Sequence, residues 1–383
     1  MRHNLKLFRR RTRLLIVMML QVCTIYSVPA DTIRQPIKAL YIPLADHYAA
    51  LVAYERYRRQ MKYADFKIEQ MKNWDLLRAY FQSGEADMAY VMSPLAMDMF
   101  NENPHFRWVG LMHRDGNALA INDLLNQQVQ LSQKRKDRKP DARVAESLRK
   151  VYQQNGYSTE IGMPHLLSTH TVVLYRYLKE QGLRMSMTPN TNAEVLAIAV
   201  PPPKSPAFIK SKSNRAMPAA FEQSLPWADV VETGGFGKVA WYSKDVMPWK
   251  NGHVECIALA TDGAIANKFE ALKEVMKYIR QAGQDIEQAR TEGGARLEAI
   301  VDIVRKHIPA HTREAIIASL DPELKVINYQ HLNVDKAGLK QIMDLAVEGG
   351  ILELPVDIDD FADMRFGDNT GEQGQRYSTL IHP

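Results

Sequence analysis

Residues 37–92 switch repeatedly between two hydrophobic periods, and that alternation restricts the fold more than any other feature of the chain. IKALYIP (37–43) has the apolar and aromatic content of a strand. Asp46 and His47 follow where caps for a helix over 49–61 belong. A strand at 67–71, a helix over 75–82 stopped by Ser83-Gly84, and a strand at 86–92 complete a β-α-β-α-β run. Strands joined through helices lie parallel, so the run predicts a doubly wound sheet. Such sheets bind ligands at the carboxyl ends of their strands. The loops at those ends carry Asp46, His47, Tyr48, Asn73, Trp74 and Ser93.

The alternation later restarts. Residues 106–121 read as strands around His113-Arg114-Asp115-Gly116-Asn117. A charge-dense stretch, QKRKDRKPDARVAESLRK, then predicts a solvated loop and helix, with 132–150 crossing between lobes. A short strand at 160–163 leads to Ser168-Thr169-His170 at the head of a helix over 171–181, and VLAIAV (195–200) is a buried strand. From residue 264 onward the pattern is helical. The expected fold class is α/β: two doubly wound α/β lobes joined by a hinge, with the ligand cleft between them, plus C-terminal helices. The expected division is a signal at 1–30, the first part of lobe 1 at 31–122, lobe 2 at 123–228, a return to lobe 1 at 229–262, and a helical region and tail at 263–383.

The 383 residues carry a formal charge of +5, but its distribution matters more than its sum. Arg2, Lys6, Arg9, Arg10, Arg11 and Arg13 lie in the first 30 residues, which hold no acid. Without them the chain is close to neutral, so the charge gives no reason to expect nucleic acid as a partner. The basic start, the apolar run LLIVMML (14–20) and the small residues before Asp31 form a secretory signal, which places the mature chain in the periplasm. An uncleaved anchor at the inner membrane is the alternative. Cys23 leaves with the signal and Cys256 is then alone, which excludes an intrachain disulfide. Within HVECIALA, Cys256 reads as a small buried hydrophobe.

No metal motif, nucleophile elbow, P-loop or dinucleotide fingerprint occurs, so neither a metal nor a cofactor nor a catalytic residue is expected. Binding chemistry is another matter. Ser168, Thr169 and His170 at a helix start offer hydroxyls, an imidazole and unpaired backbone N–H groups to a polar or anionic ligand. Trp74 and Trp227 each follow a polar break at a strand end and would wall a small pocket. AAFEQSLPWADVVETGGFG (219–237) sets Glu222, Gln223 and Ser224 in an apolar run. Strand alternation sends Gln223 to one side and its neighbours to the other; the expected ligand contact is Gln223 or Ser224.

LADHYAALVAYE, NWDLLRAYFQSGEADMAYVMSPLAM, RDGNALAI, STHTVVLYRYLKEQGL, FEQSLPWADVV and GGFGKVAWYSKDVMPW, in this order, resemble the periplasmic solute-binding proteins of ABC importers. The branch is that for nitrate, bicarbonate, sulfonates and taurine, and the likeness covers most of residues 36–365. The resemblance implies two lobes, a hinge and an enclosed solute. It sets Asp46 on the branch's loop aspartate, Trp74 on the tryptophan before the second helix, and Gly116-Asn117 on a glycine-glutamine pair. It also sets His170, beside Thr169, on the histidine that starts the second-lobe helix. The branch's Gly-Glu-Pro-Trp falls on Ser224-Leu225-Pro226-Trp227, so the glutamate is lost. A charged residue that some members use to select the ligand falls near Gly234, with Glu232 two positions earlier. The implied ligand contacts are Asp46, His47, Trp74, Ser93, Asn117, Ser168, Thr169, His170, Gln223, Ser224 and Trp227. The implied function is capture of a small polar or anionic solute by a monomer, and its delivery to an ABC permease. An enzyme on the same fold, of the kind that makes the thiamine pyrimidine, and a periplasmic ligand sensor are the alternatives.

Overall fold

The computed structural model describes residues 33–189 and 192–368. The expected signal (1–30) and residues 369–383 of the expected tail lie outside them. The first sheet has the order β2-β1-β3-β12-β4, formed by β1 (Gln35–Tyr41), β2 (Ala64–Gln70), β3 (Met88–Met92), β4 (Phe106–Leu111) and β12 (Cys256–Thr261). β1 lies parallel to β2 and β3, while β12 enters antiparallel between β3 and β4. Every residue of β3 is buried, so MAYVM is apolar throughout, the composition of a strand covered on both faces.

The second sheet has the order β11-β6-β10-β7-β9-β8. Its strands are β6 (Asn117–Asn122), β7 (Thr159–Met163), β8 (Met185–Ser186), β9 (Val195–Ala199), β10 (Ala220–Ser224) and β11 (Gly237–Tyr242). β8, β9, β7 and β10 run parallel; β6 lies antiparallel between β10 and β11. In both sheets alternate residues enter different apolar layers. Ile37, Ala39 and Tyr41 face one layer and Leu40 the other; Ala118 and Ala120 separate in the same way from Leu119 and Ile121.

Strand membership differs from the expected division in two places. β6 falls within the expected first lobe (31–122) and β11 within the expected return (229–262), yet both belong to the second sheet. The reason is that β6 is satisfied on both edges there, by β10 and by β11. The segment 132–150, expected as the crossing, also stays beside the second sheet. It is a loop and a helix, Ala142–Asn155, and its Arg138 reaches the Val239 carbonyl in β11. The chain instead passes between the sheets at 112–116 and at 243–255. These passages run side by side: Met112 N–H donates to Cys256 O, and Asp115 N–H to His253 O. β5 (Arg114–Asp115) then pairs with β13 (Ile327–Asn328) of the C-terminal region. Gly116 sits at φ +93°, where an added Cβ would meet Ile327 and the His113 ring at 3.0–3.1 Å, so the passage needs a glycine there.

Four helices carry most of the C-terminal region: Asp262–Glu292, Gly294–His307, Arg313–Ser319 and Lys336–Glu348. Among the described residues no helix is long and apolar enough to cross a membrane.

Candidate functional site

The two sheets meet through a polar patch that has no access to solvent. Its members sit mostly where strands end, as the doubly wound pattern requires. A short turn after β1, Ala45–His47, supplies Asp46 and His47. The predicted capping role fails: neither side chain caps the helix Tyr48–Tyr57, and both turn inward. The segment after β4 supplies His113, and the passage into β12 supplies Glu255 and Cys256. From the other side come Asn117 at the start of β6, Glu222 and Ser224 of β10, and Ser168, Thr169 and His170 at the head of the helix Thr169–Glu180. All of them are buried.

Asn73 and Ser168 cap the helices that follow them: Asn73 accepts from Leu76 N–H at 2.8 Å and Ser168 from Thr171 N–H at 3.1 Å. Capping places Thr169 and His170 on the first turn. Thr169 Oγ1 then lies 3.4 Å from Ser93 Oγ, so the helix Thr169–Glu180 and the helix Ser93–Glu102 meet head to head across the two sheets.

A chain of protons runs through the patch. Ser224 Oγ donates to Asp46 Oδ2 at 2.9 Å, so its lone pair is free to accept from His170 Nε2, also at 2.9 Å. That assignment leaves His170 Nδ1 without a proton, facing Glu255 Oε1 at 3.4 Å. His113 Nε2 lies 3.0 Å from Glu255 Oε2 and 3.5 Å from Asp46 Oδ1. Burial pulls the His113 pKa down, but Asp46 and Glu255 outweigh it and push it up to about 10. Burial pushes Asp46 up, but His113 above all holds it below the usual carboxylate range. Burial and the Asp46 charge raise Glu255 to about 7, against the pull of His113. Burial lowers His170 to about 3 and drives Glu222 well above the usual range, with the charges of Glu255 and Asp46 adding to the latter. The patch therefore favours an Asp46–His113 ion pair, with His170 and Glu222 held neutral by burial and Glu255 easier to protonate than an ordinary carboxylate.

His47 closes one wall. Its Nδ1 is 2.7 Å from Ile42 O, which assigns the proton there and leaves Nε2 to accept from the Cys256 thiol at 3.3 Å. Burial lowers His47 to about 4 and raises the Cys256 thiol. The His47 ring packs edge-on to Trp74 at 6.2 Å, so Trp74 supports the site from behind.

Some expected contacts are placed elsewhere. Gln223 points to the opposite face of β10, where its amide donates to Val200 O at 2.9 Å. Trp227 opens the helix Trp227–Thr233, and its indole N–H donates to Pro43 O at 3.1 Å. It is a fastener between the sheets. Glu232 is held by Arg138 at 2.8 Å and by Arg135 at 3.4 Å, away from the patch. His113, Glu255, Cys256 and Glu222 are members that motif reading missed. For Glu222 the signal was present: alternation puts it on the same face as Ser224. Glu255 and Cys256 gave a weaker one, a charge entering a buried strand. His113 had none, because only the fold brings it to Asp46.

Two α/β layers with a sealed polar patch between their strand ends define the periplasmic binding-protein fold. Solved structures agree. The ligand-binding component of an ABC-type import system from Staphylococcus aureus, with zinc bound, is 19% identical at a TM-score of 0.66, over 87% of this chain and 98% of that one. The periplasmic nitrate-binding protein NrtA from Synechocystis PCC 6803 is 17% identical at 0.67, over 85% and 84%. The alkanesulfonate-binding protein SsuA from Xanthomonas axonopodis pv. citri, bound to MOPS, is 12% identical at 0.60, over 86% and 98%. The chain belongs to the NMT1-like family, which matches residues 34–299. A search of curated proteins returns no match.

Proposed function

We propose that the protein is the solute-binding component of an ABC importer. It works as a monomer in the periplasm, encloses a small polar solute between its two lobes and presents the closed form to a membrane permease. One observation carries this reading: side chains from both sheets converge on one buried patch, where Ser224, which His170 supports from its own side, donates across to Asp46, and His170 Nδ1 lies 3.4 Å from Glu255. A site assembled by closure holds its ligand only while closed, which lets closure signal occupancy.

The patch also bears on the solute. Asp46, Glu222 and Glu255 together present acceptor oxygens, and Asp46 a negative charge, which a bare anion such as nitrate would meet at close range. A solute with N–H donors, or an anion accompanied by a cation, satisfies the same groups. Among the described residues, the Cys256–His47 pair is the arrangement that most suggests an enzyme. Burial keeps both partners neutral, however, so no thiolate is poised to attack.

Thermal shift against nitrate, bicarbonate, taurine, alkanesulfonates, pyrimidines and small amines tests the proposal. A true solute at a hundredfold excess over Kd stabilises by about 2.7 kcal/mol, and His170→Ala is expected to abolish that shift while still folding. No response to any of them, or turnover of one of them, would overturn it.

A further inference from the structure

We infer that Asp46, His113, Glu255 and Cys256 form a binding site for a divalent first-row transition metal of the zinc type. Each offers one ligand atom: a carboxylate oxygen of Asp46 and of Glu255, a ring nitrogen of His113, and Cys256 Sγ. The four atoms lie within 4.8 Å of one another, and all four residues are buried. A tetrahedral site with zinc-like bond lengths needs neighbouring ligand atoms roughly 3.3–3.7 Å apart. The His113 distance to Asp46, 3.5 Å, falls in that range, and its distance to Glu255, 3.0 Å, lies just below it.

The second observation is what the groups leave undone. Asp46 Oδ1, both ring nitrogens of His113 and both carboxylate oxygens of Glu255 have no hydrogen-bond partner of acceptable geometry, although none of them can reach water. Both oxygens of Glu222, close by, are unpartnered as well. A self-sufficient charge network would turn its N–H groups onto its carboxylates, because an unmade buried hydrogen bond costs about 1–3 kcal/mol. Here the atoms come within ion-pair distance without forming aligned hydrogen bonds, as ligand atoms aimed at a common centre do. The carboxyl groups of Asp46 and Glu255 beside a single imidazole also leave room for positive charge.

The donor set selects the metal. Magnesium and calcium take six or more oxygens, whereas a thiol and an imidazole among four donors suit zinc, cobalt or iron. Coordination releases the Cys256 thiol proton and any proton on the coordinating His113 nitrogen to solvent. Ser224, donating to Asp46 Oδ2, and His47, beside Sγ, form the supporting layer that fixes ligand orientation. The site shares Asp46 and Glu255 with the patch proposed to meet the solute, but its ligands come from the turn after β1, the two passages and the first residue of β12, and metal uptake is read with no solute present. It therefore fails or holds separately from the transport reading.

Cobalt titration of the chelator-stripped full chain is the direct test. One equivalent of Co2+ is expected to bind, with a near-ultraviolet thiolate-to-cobalt charge-transfer band, and Zn2+ should displace it while a hundredfold excess of Mg2+ does not. Cys256→Ser should remove the band, and Glu255→Gln should weaken binding at least tenfold. Circular dichroism of each stripped variant establishes that it is folded. The wild-type spectrum and stoichiometry decide the matter even if a variant does not fold. Non-saturable uptake, a band that survives Cys256→Ser, or equal competition by Mg2+ would overturn the inference.

Discussion

Ser224 has one hydroxyl proton and two partners, and that count makes its replacement informative. The proton goes to Asp46, while the oxygen accepts from His170. Ser224→Ala removes both bonds and leaves a buried carboxylate oxygen and an imidazole N–H unpaired. The expected loss is about 1–3 kcal/mol of unfolding free energy in urea melts. Gln223→Ala removes an amide that faces the other way and bonds only to Val200 O, so it should leave solute binding unchanged. Equal loss of binding in both variants would place the cleft on the wrong face of β10. The two neighbours also mark how far sequence reading reached at this scale. Alternation fixes that Gln223 and Ser224 face apart, yet it does not say which of them faces inward. Asp46, Ser93, Asn117, Thr169 and His170 were legible because they stand at strand and helix ends. His113 and Glu255 were not, because 142 positions separate them and only two antiparallel passages bring them together.

At the scale of elements, the stretch 132–150 shows where charge misleads. Its residues 133–150, dense in Lys and Arg, read as a solvated surface, and several of them are exposed. Arg138 is not: its side chain is fully buried and spans Ser132 O, Gln133 O, Val239 O and both carboxylate oxygens of Glu232. Sequence cannot tell one arginine in such a run from the next, because the distinction lies in a pocket built by β11 and the helix Trp227–Thr233. Arg138→Ala should therefore cost about 3–5 kcal/mol in guanidinium melts, the usual penalty for breaking a buried pair, whereas Lys134→Ala should change stability by under about 0.5 kcal/mol. The same anchor sets a pH dependence. Burial pushes the Glu232 pKa up, but Arg138, Arg135 and the Val239 N–H outweigh it and hold it below the usual value. A depressed folded-state pKa gives stability that is present above the unfolded value, about 4.3, and is lost as pH falls through the folded one. Wild type should lose stability below about pH 4.3 more steeply than Glu232→Gln; parallel pH profiles would remove Glu232 from the anchor.

At the scale of the whole molecule, the two layers touch through bonds that exist only while they are closed. Ala45 N–H donates to Leu225 O at 2.8 Å, and the Trp227 indole donates to Pro43 O at 3.1 Å. His311, which also reaches Pro43 O, stacks edge-on against Trp227 at 4.9 Å. A patch with no exposed atom admits a ligand only if these contacts break and re-form. The proposed solute capture thus requires opening, whose free energy Trp227 would partly set. Trp227→Phe keeps the ring and deletes the N–H, at a cost of about 1 kcal/mol to the closed form alone. That difference raises the open population roughly fivefold. The Ala45 amide reports it directly, because its partner lies across the interface and its hydrogen exchange follows the open fraction when reclosing is fast. In Trp227→Phe the Ala45 amide should exchange roughly fivefold faster, while amides inside β3, which bond within one sheet, keep their wild-type rates. A bound solute should slow Ala45 in both proteins. Equal acceleration in β3 would mean that the substitution loosens the whole fold, and an unchanged Ala45 would mean that the layers do not separate there.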